Sequence, residues 1–155
     1  MNETTASQQQ PSLNIEKLYL RDLSLEIPHA TEASLERGSP QIDLQLHSQA
    51  ASIEEGLFEA TITATVTAKF PGKDKVMFLI EAKQTGIFRV RNLPYENLGP
   101  IVGAACPNIL FPYLREVISD IAVRAGFAPV LLEHINFEAL YQQQHQTGAA
   151  PASMH

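Results

Sequence analysis

The chain has 155 residues, 45% of them apolar and 18% charged, with a net charge of −6 and a single cysteine. Such a composition suits one globular domain with a core of its own. The acidic balance excludes sequence-independent nucleic-acid binding, which needs a basic footprint. The lone Cys106 excludes an internal disulfide and fits a reducing compartment.

Residues 1–12 are polar and read as disordered, without the charged and apolar regions of a secretion signal. The folded domain is expected over residues 13–142. Its first strand candidate, Leu13–Ile27, changes phase twice: apolar positions are odd at Leu13 and Ile15, even at Leu18 and Leu20, and odd again from Leu23. Each slip predicts a bulge or break, around Lys17 and Arg21. Pro28 ends the strand. Gln41–Ser48 alternates with Ile42, Leu44 and Leu46 on one face. Leu57–Phe70 alternates through Phe58, Ala60, Ile62, Ala64, Val66, Ala68 and Phe70, with threonines opposite. After a Pro71–Asp74 turn, Val76–Val90 carries Phe78 and Ile80 on one face but also Met77 and Leu79 on the other. That hints at contact with another molecule. Short loops between alternating strands predict an antiparallel meander.

Asn92–Ala105, with Pro94, Gly99, Pro100 and Gly103, reads as a long irregular connection. Its Gly99-x-x-x-Gly103 spacing therefore does not read as a helix-pairing motif. The segment Cys106–Ser119 is stiffened by Pro107 and Pro112, so its start reads as an apolar connector that something must cover. Helical spacing begins at Tyr113 and runs to Ala125, with Gly126 as the stop. Asn136 caps a short helix, Phe137–Gln144. From Gln143 to the C-terminus the chain reads as a disordered tail. No run reaches the ~20 apolar residues of a membrane span, so no stable membrane insertion is expected.

Catalytic chemistry is not visible. Cys106 reads as a buried thiol. The five histidines lack metal-ligand spacing, and there is no phosphate-binding glycine loop. No catalytic residue, metal or cofactor is expected.

Several stretches resemble the SecB family of bacterial protein-export chaperones: IEKLYLRDLSLEIPHA (15–30), FEATITATVTAKF (58–70), FLIEAKQTGIF (78–88), CPNILFPYLREVIS (106–119), RAGFAPVLL (124–132) and INFEALY (135–141). They cover nearly all of 13–141 in order. His29-Ala30-Thr31, Thr85-Gly86-Ile87-Phe88 and Glu133-His134 depart from the family pattern. The resemblance implies an α+β fold: a four-stranded antiparallel sheet followed by two helices. It implies a homotetramer, a dimer of dimers with helices between two eight-stranded sheets. It implies a cytoplasmic, ATP-independent chaperone that holds unfolded preproteins and passes them to the SecA motor. Asp22, Glu26, Leu79 and Glu81 fall on the family's SecA-binding surface. Phe78, Ile80, Ala82 and Gln84 fall on its subunit-interface strand. The client groove is expected around Leu98, Ile109, Phe111, Phe137 and Tyr141. Two other readings remain open: a small-molecule binding module using an apolar cavity, and a chaperone of the same family dedicated to a toxin–antitoxin system.

Overall fold

The computed structural model describes residues 10–146; of the disorder expected at 1–12 and 143–155, residues 1–9 and 147–155 lie outside them, whereas Ser12 begins a strand and residues 143–146 continue a helix. The elements in chain order are β1 (Ser12–Glu26), α1 (Ala30–Leu35), β2 (Gln41–Glu54), β3 (Leu57–Lys69), β4 (Val76–Arg91), α2 (Cys106–Arg124) and α3 (Phe137–Gln146). The four strands form one antiparallel sheet, ordered β1-β4-β3-β2.

That order corrects the meander. β2, β3 and β4 are joined by hairpins, but β1 lies beside β4, giving a Greek-key arrangement. The cause is the connection over residues 27–40. Pro28, α1, Gly38 and Pro40 make it too long and too bent for a hairpin. It crosses one end of the sheet, where Lys75 of β4's hairpin meets Glu32 of α1 at 2.5 Å and Pro71 packs on Gly38.

The two slips of β1 are bulges. The register against β4 shifts between Ile15 and Lys17 and again between Leu20 and Asp22. Each bulge resets the phase, so Leu13, Ile15, Leu18, Leu20, Leu23 and Leu25 all face one side, with Glu16, Lys17, Arg21 and Asp22 on the other. The side that takes the leucines also carries Phe58, Ala60, Ile62, Ala64, Val66 and Ala68 of β3 and Phe78, Ile80, Ala82, Gly86 and Phe88 of β4. Gly86 is required there, because an added Cβ would stand 2.6 Å from the Phe88 ring.

α2 covers this face with one stripe: Cys106, Pro107, Leu110, Phe111, Leu114, Ile118 and Ala122 are buried. The helix begins earlier than its prolines suggest. Tyr95–Asn97 is a 3₁₀ turn, Leu98–Pro100 an α turn and Ile101–Ala105 a π segment running into α2. Pro100 sits close to the helix start, where its missing N–H would be unpaired in any case. Pro112 leaves the Asn108 carbonyl without its helical donor, and both residues are exposed, so water can serve that carbonyl. The apolar "connector" is thus helix, and its buried stripe is covered by its own sheet. Tyr95–Arg124 together is also long and apolar enough to cross a membrane by composition, but its buried stripe belongs to this core.

The C-terminus of α2 ends in a left-handed Gly126 (φ +91°), with Phe127 N–H donating to the Ala122 carbonyl and Gly126 N–H to that of Val123. This is the glycine stop read from the sequence, closed as a Schellman motif. It turns Phe127 back onto the sheet, where its ring stacks on Phe78 at 4.5 Å. Asn136 Oδ1 accepts the Ala139 N–H at 3.0 Å and caps α3, which runs on to Gln146.

On the opposite, outer face, the Thr61 and Thr85 hydroxyls share a 2.8 Å hydrogen bond and both residues are buried. Replacing one leaves its partner's hydroxyl buried and unpaired; replacing both removes the polar pair altogether. Thr85→Val should therefore cost about 1–3 kcal/mol in urea unfolding, and adding Thr61→Val should recover most of it. A double variant less stable than either single one would contradict this account of the pair.

Candidate functional site

Two surfaces on opposite faces of the sheet gather the residues of interest. The first lies at one end of the outer face. Cross-strand pairing sets Glu26 beside Leu79, Ser24 beside Glu81 and Asp22 beside Lys83. Asp22 and Glu26 are exposed; Leu79 and Glu81 are half-buried. Thr65 Oγ1 donates to Glu81 Oε2 at 3.4 Å. Among the described residues, no ion pair engages Asp22, Glu26 or Glu81. At the other end of the face the carboxylates are matched: Glu59 meets Arg21 at 3.2 Å, and Arg89 meets Glu16 at 2.9 Å and Glu54 at 3.9 Å. The phase of β1 and β4 predicts this gathering of Asp22, Glu26, Leu79 and Glu81. It does not predict Lys83 at its margin, because register is not legible from one strand alone.

Phe78, Ile80, Ala82 and Gln84 lie elsewhere than a free surface. All four are buried inside the single chain and belong to its core. Met77 is a bulge residue as well: the register shifts between Ala68 and Lys69, opposite Met77, which is buried and lines a cavity with Phe78. The apolar character of both faces of β4 is thereby explained within the chain, apart from Leu79.

That cavity, of about 770 Å³, is the second surface. Its floor is Met77, Phe78, Ile42, Leu44, Phe127, Val130 and Leu132, and its rim carries Ser34, Glu36, Arg37, Glu133 and His134. It opens between α1 and the loop 126–135, at one end of β2. The strand then passes two shallower depressions. One, of about 220 Å³, lies by Leu46–Ala50 with Phe137, Leu140 and Tyr141; the other, of about 430 Å³, lies by Ala50–Ser52 with Tyr95, Leu98 and Val102. All three follow β2, an edge strand of the sheet.

The expected groove residues divide. Leu98, Phe137 and Tyr141 do line these depressions. Phe111 is core, 4% exposed, and its ring meets that of the equally buried Phe137 edge-to-face at 5.6 Å. Ile109 is half-buried and packs against the same core. The 770 Å³ cavity was missed, although the apolar run Phe127–Leu132 in a Gly- and Pro-containing loop carried its signal. Leu131 is 76% exposed. Gly99 and Gly103 also have a role not read from the sequence. Both sit on the helical lead-in, and a Cβ on Gly103 would stand 2.5 Å from the Tyr141 ring. The two glycines form a flat seat on which α3 lays its tyrosine.

Among the described residues, no acid–base pair or nucleophile emerges. Cys106 is buried, and burial pushes its thiol up to about 12. Among the described residues, no three His, Cys, Asp or Glu side chains gather closely enough to hold a metal ion.

A family model described as preprotein translocase subunit SecB matches residues 6–148. The protein-export protein SecB of Nitrosomonas eutropha is 59% identical over 94% of this chain and 91% of its own length. That of Chromobacterium violaceum is 57% identical over 87% and 89%, and that of Methylobacillus flagellatus 52% identical over 95% and 92%. Among solved structures, a Mycobacterium tuberculosis SecB-like chaperone in complex with a ChAD peptide from the HigA1 antitoxin aligns with a TM-score of 0.65. It is 16% identical, and the match covers 84% of this chain and 93% of that one, which supports the fold.

The buried thiol gives a direct check on the packing of α2. At about pH 9, where a free cysteine is largely ionised, iodoacetamide should label Cys106 fully in the urea-unfolded chain and scarcely at all in the native one. Rapid native labelling would mean that α2 does not stay seated on the sheet.

Proposed function

The chain belongs to the SecB family, and we propose how its geometry serves that family's work. It is a protein-export chaperone. We place the client along β2: an unfolded preprotein segment lies by the edge strand, its large side chains entering the 770 Å³ cavity and the two shallower depressions. The observation that carries this reading is that three recesses follow one edge strand, on the sheet face opposite the carboxylates without an ion pair, while a further depression of about 420 Å³ lies on the outer side of α2. A holdase must accept many sequences, and apolar recesses with few fixed hydrogen-bonding groups do so. Holding the unfolded state lowers its free concentration by mass action and needs no ATP. The second surface, Asp22, Glu26, Glu81 and Leu79, is the docking site for a basic segment of SecA. Carboxylates with no internal partner attract such a segment and set its register.

Self-association completes the reading. β1 is an edge strand whose Ile15, Leu20 and Leu23 are 49%, 42% and 36% exposed on the helix side. Tyr113 and Val123 on the outer side of α2 are half-exposed. Two β1 edges joined side by side would make an eight-stranded sheet, and two such dimers packed through α2 a tetramer, with the helices between the sheets. The setting is the cytoplasm, where preproteins await export. Export proper is favoured over a dedicated antitoxin role by the relatives above, which are named protein-export proteins at 52–59% identity. The length of the recessed track favours extended polypeptide over a compact small molecule.

Light scattering should give a mass near four times the 17.1 kDa chain. Leu98→Ala and Leu44→Ala should weaken suppression of aggregation of an unfolded substrate several-fold while the far-ultraviolet spectrum stays unchanged; full holdase action in both would move the client elsewhere.

The acidic surface is tested separately. Asp22→Ala, Glu26→Ala and Glu81→Lys should each weaken SecA binding without affecting client holding, and the wild-type affinity should fall with added salt, since exposed charges are screened over ~8–10 Å. Loss of stability should stay within about 0.5 kcal/mol. A salt-independent affinity would remove the carboxylates from this role.

A further inference from the structure

Arg21 precedes Asp22 directly, so in a regular strand the two would point to opposite faces. The second β1 bulge changes that. Leu20 pairs with Gln84 and Asp22 with Lys83, leaving Arg21 unpaired in the ladder, and both charged residues point to the outer face. A guanidinium thus stands next to a carboxylate that, under the reading above, must stay available to a basic partner.

The structure directs Arg21 elsewhere. Its Nη1 donates to Glu59 Oε1 at 3.2 Å, on β3, beyond β4. The Tyr19 hydroxyl donates to Glu59 Oε2 at 3.3 Å. Glu59 therefore takes one donor on each oxygen, from the residues either side of Leu20. Glu59 pairs with Ile87, in the cross-strand row of Lys17 and further from Glu26 than the row of Asp22. Burial and the Glu59 carboxylate both hold the Tyr19 phenol above its ordinary value, so it remains a donor at neutral pH. Of the other arginines of this face, Arg89 is held by Glu16 and Glu54, while Arg91, beside Ser12 at the far end, has no ion pair among the described residues. The carboxylates without an ion pair, Asp22, Glu26 and Glu81, stand at the opposite end, with Lys83 beside Asp22.

We infer that Glu59 is a positioning residue for the acidic surface: by binding Arg21 it draws that cation away from Asp22 and keeps the surface open to a basic segment. The inference rests on the reading of Asp22, Glu26 and Glu81 as the SecA site. The Arg21–Glu59 pair is partly exposed, with side chains 50% and 32% accessible. Such pairs contribute little stability, so a binding defect on breaking it would not be a folding defect in disguise.

Calorimetric titration of the full-length chain with SecA at low salt tests this. Glu59→Gln releases Arg21 and should weaken binding about two- to fivefold, the scale of an exposed charge pair. Glu59→Gln with Arg21→Gln should restore it. Glu54→Gln removes the same charge from the same face while Arg21 stays bound, and should leave the affinity unchanged. Unaltered binding by Glu59→Gln, failure of the double variant to recover, or an equal loss in Glu54→Gln would each overturn the inference. Asp22→Ala is the reference: if it too binds like wild type, the acidic-surface reading falls with it, whereas a weakened Asp22→Ala beside an unaffected Glu59→Gln removes Glu59 alone.

Discussion

The inner sheet face must be kept from water, and almost every feature of the chain follows from that constraint. Alternate residues of β3 and β4 supply Phe58, Ile62, Val66, Phe78, Ile80 and Phe88, and one stripe of α2 lies over them. Burial of this kind is worth about 25 cal/mol per Å² of apolar surface, which outweighs local preferences. It holds Pro112 inside a helix, at a position where the deprived carbonyl can still reach water. It forces two bulges into β1, so that six apolar side chains keep one face. It folds Phe127 back over Phe78 once Gly126 has ended the helix.

The bulges link the core to the surface. A bulge adds one residue to a strand and sets two successive side chains on one side. In β1 the added side chains are charged and go outward, making the outer face denser in charge than regular alternation allows. The leucines thus determine, from behind, where Asp22 and Arg21 stand. Glu59 then decides which way Arg21 leans. Core packing fixes the position of the carboxylates, and a surface ion pair fixes their neighbourhood.

Much of this was legible in the sequence because it is periodic. The β3 alternation, the two phase slips of β1, the Gly126 stop and the Asn136 cap are local signals with local causes, and each appears where those signals put it. Strand order was not legible, since periodicity says which face a residue takes but not which strand lies beside it. The prolines misled for a similar reason: Pro100, Pro107 and Pro112 disfavour helix locally, and tertiary burial overrode them. Phe111 was indistinguishable from a groove residue, because an aromatic side chain in a core and one in a recess look alike in a sequence. The 770 Å³ cavity needed two distant segments, α1 with the start of β2 and the loop 126–135, brought together by the crossover of residues 27–40.

Separating the two surfaces by the thickness of one sheet has a mechanical consequence. On the proposed placements, a client segment along β2 would touch the inner face and an edge, and a basic partner segment on Asp22 and Glu26 would touch the outer face of β1 and β4. Neither would block the other, so a loaded chaperone could still be recognised. On that reading, release needs no sheet that springs open when the partner docks. It needs competition: the apolar recesses hold each client side chain weakly, and a motor that draws the polypeptide away segment by segment meets a series of small barriers instead of one large one. Shallow recesses strung along a strand suit that kind of release better than a single deep pocket would.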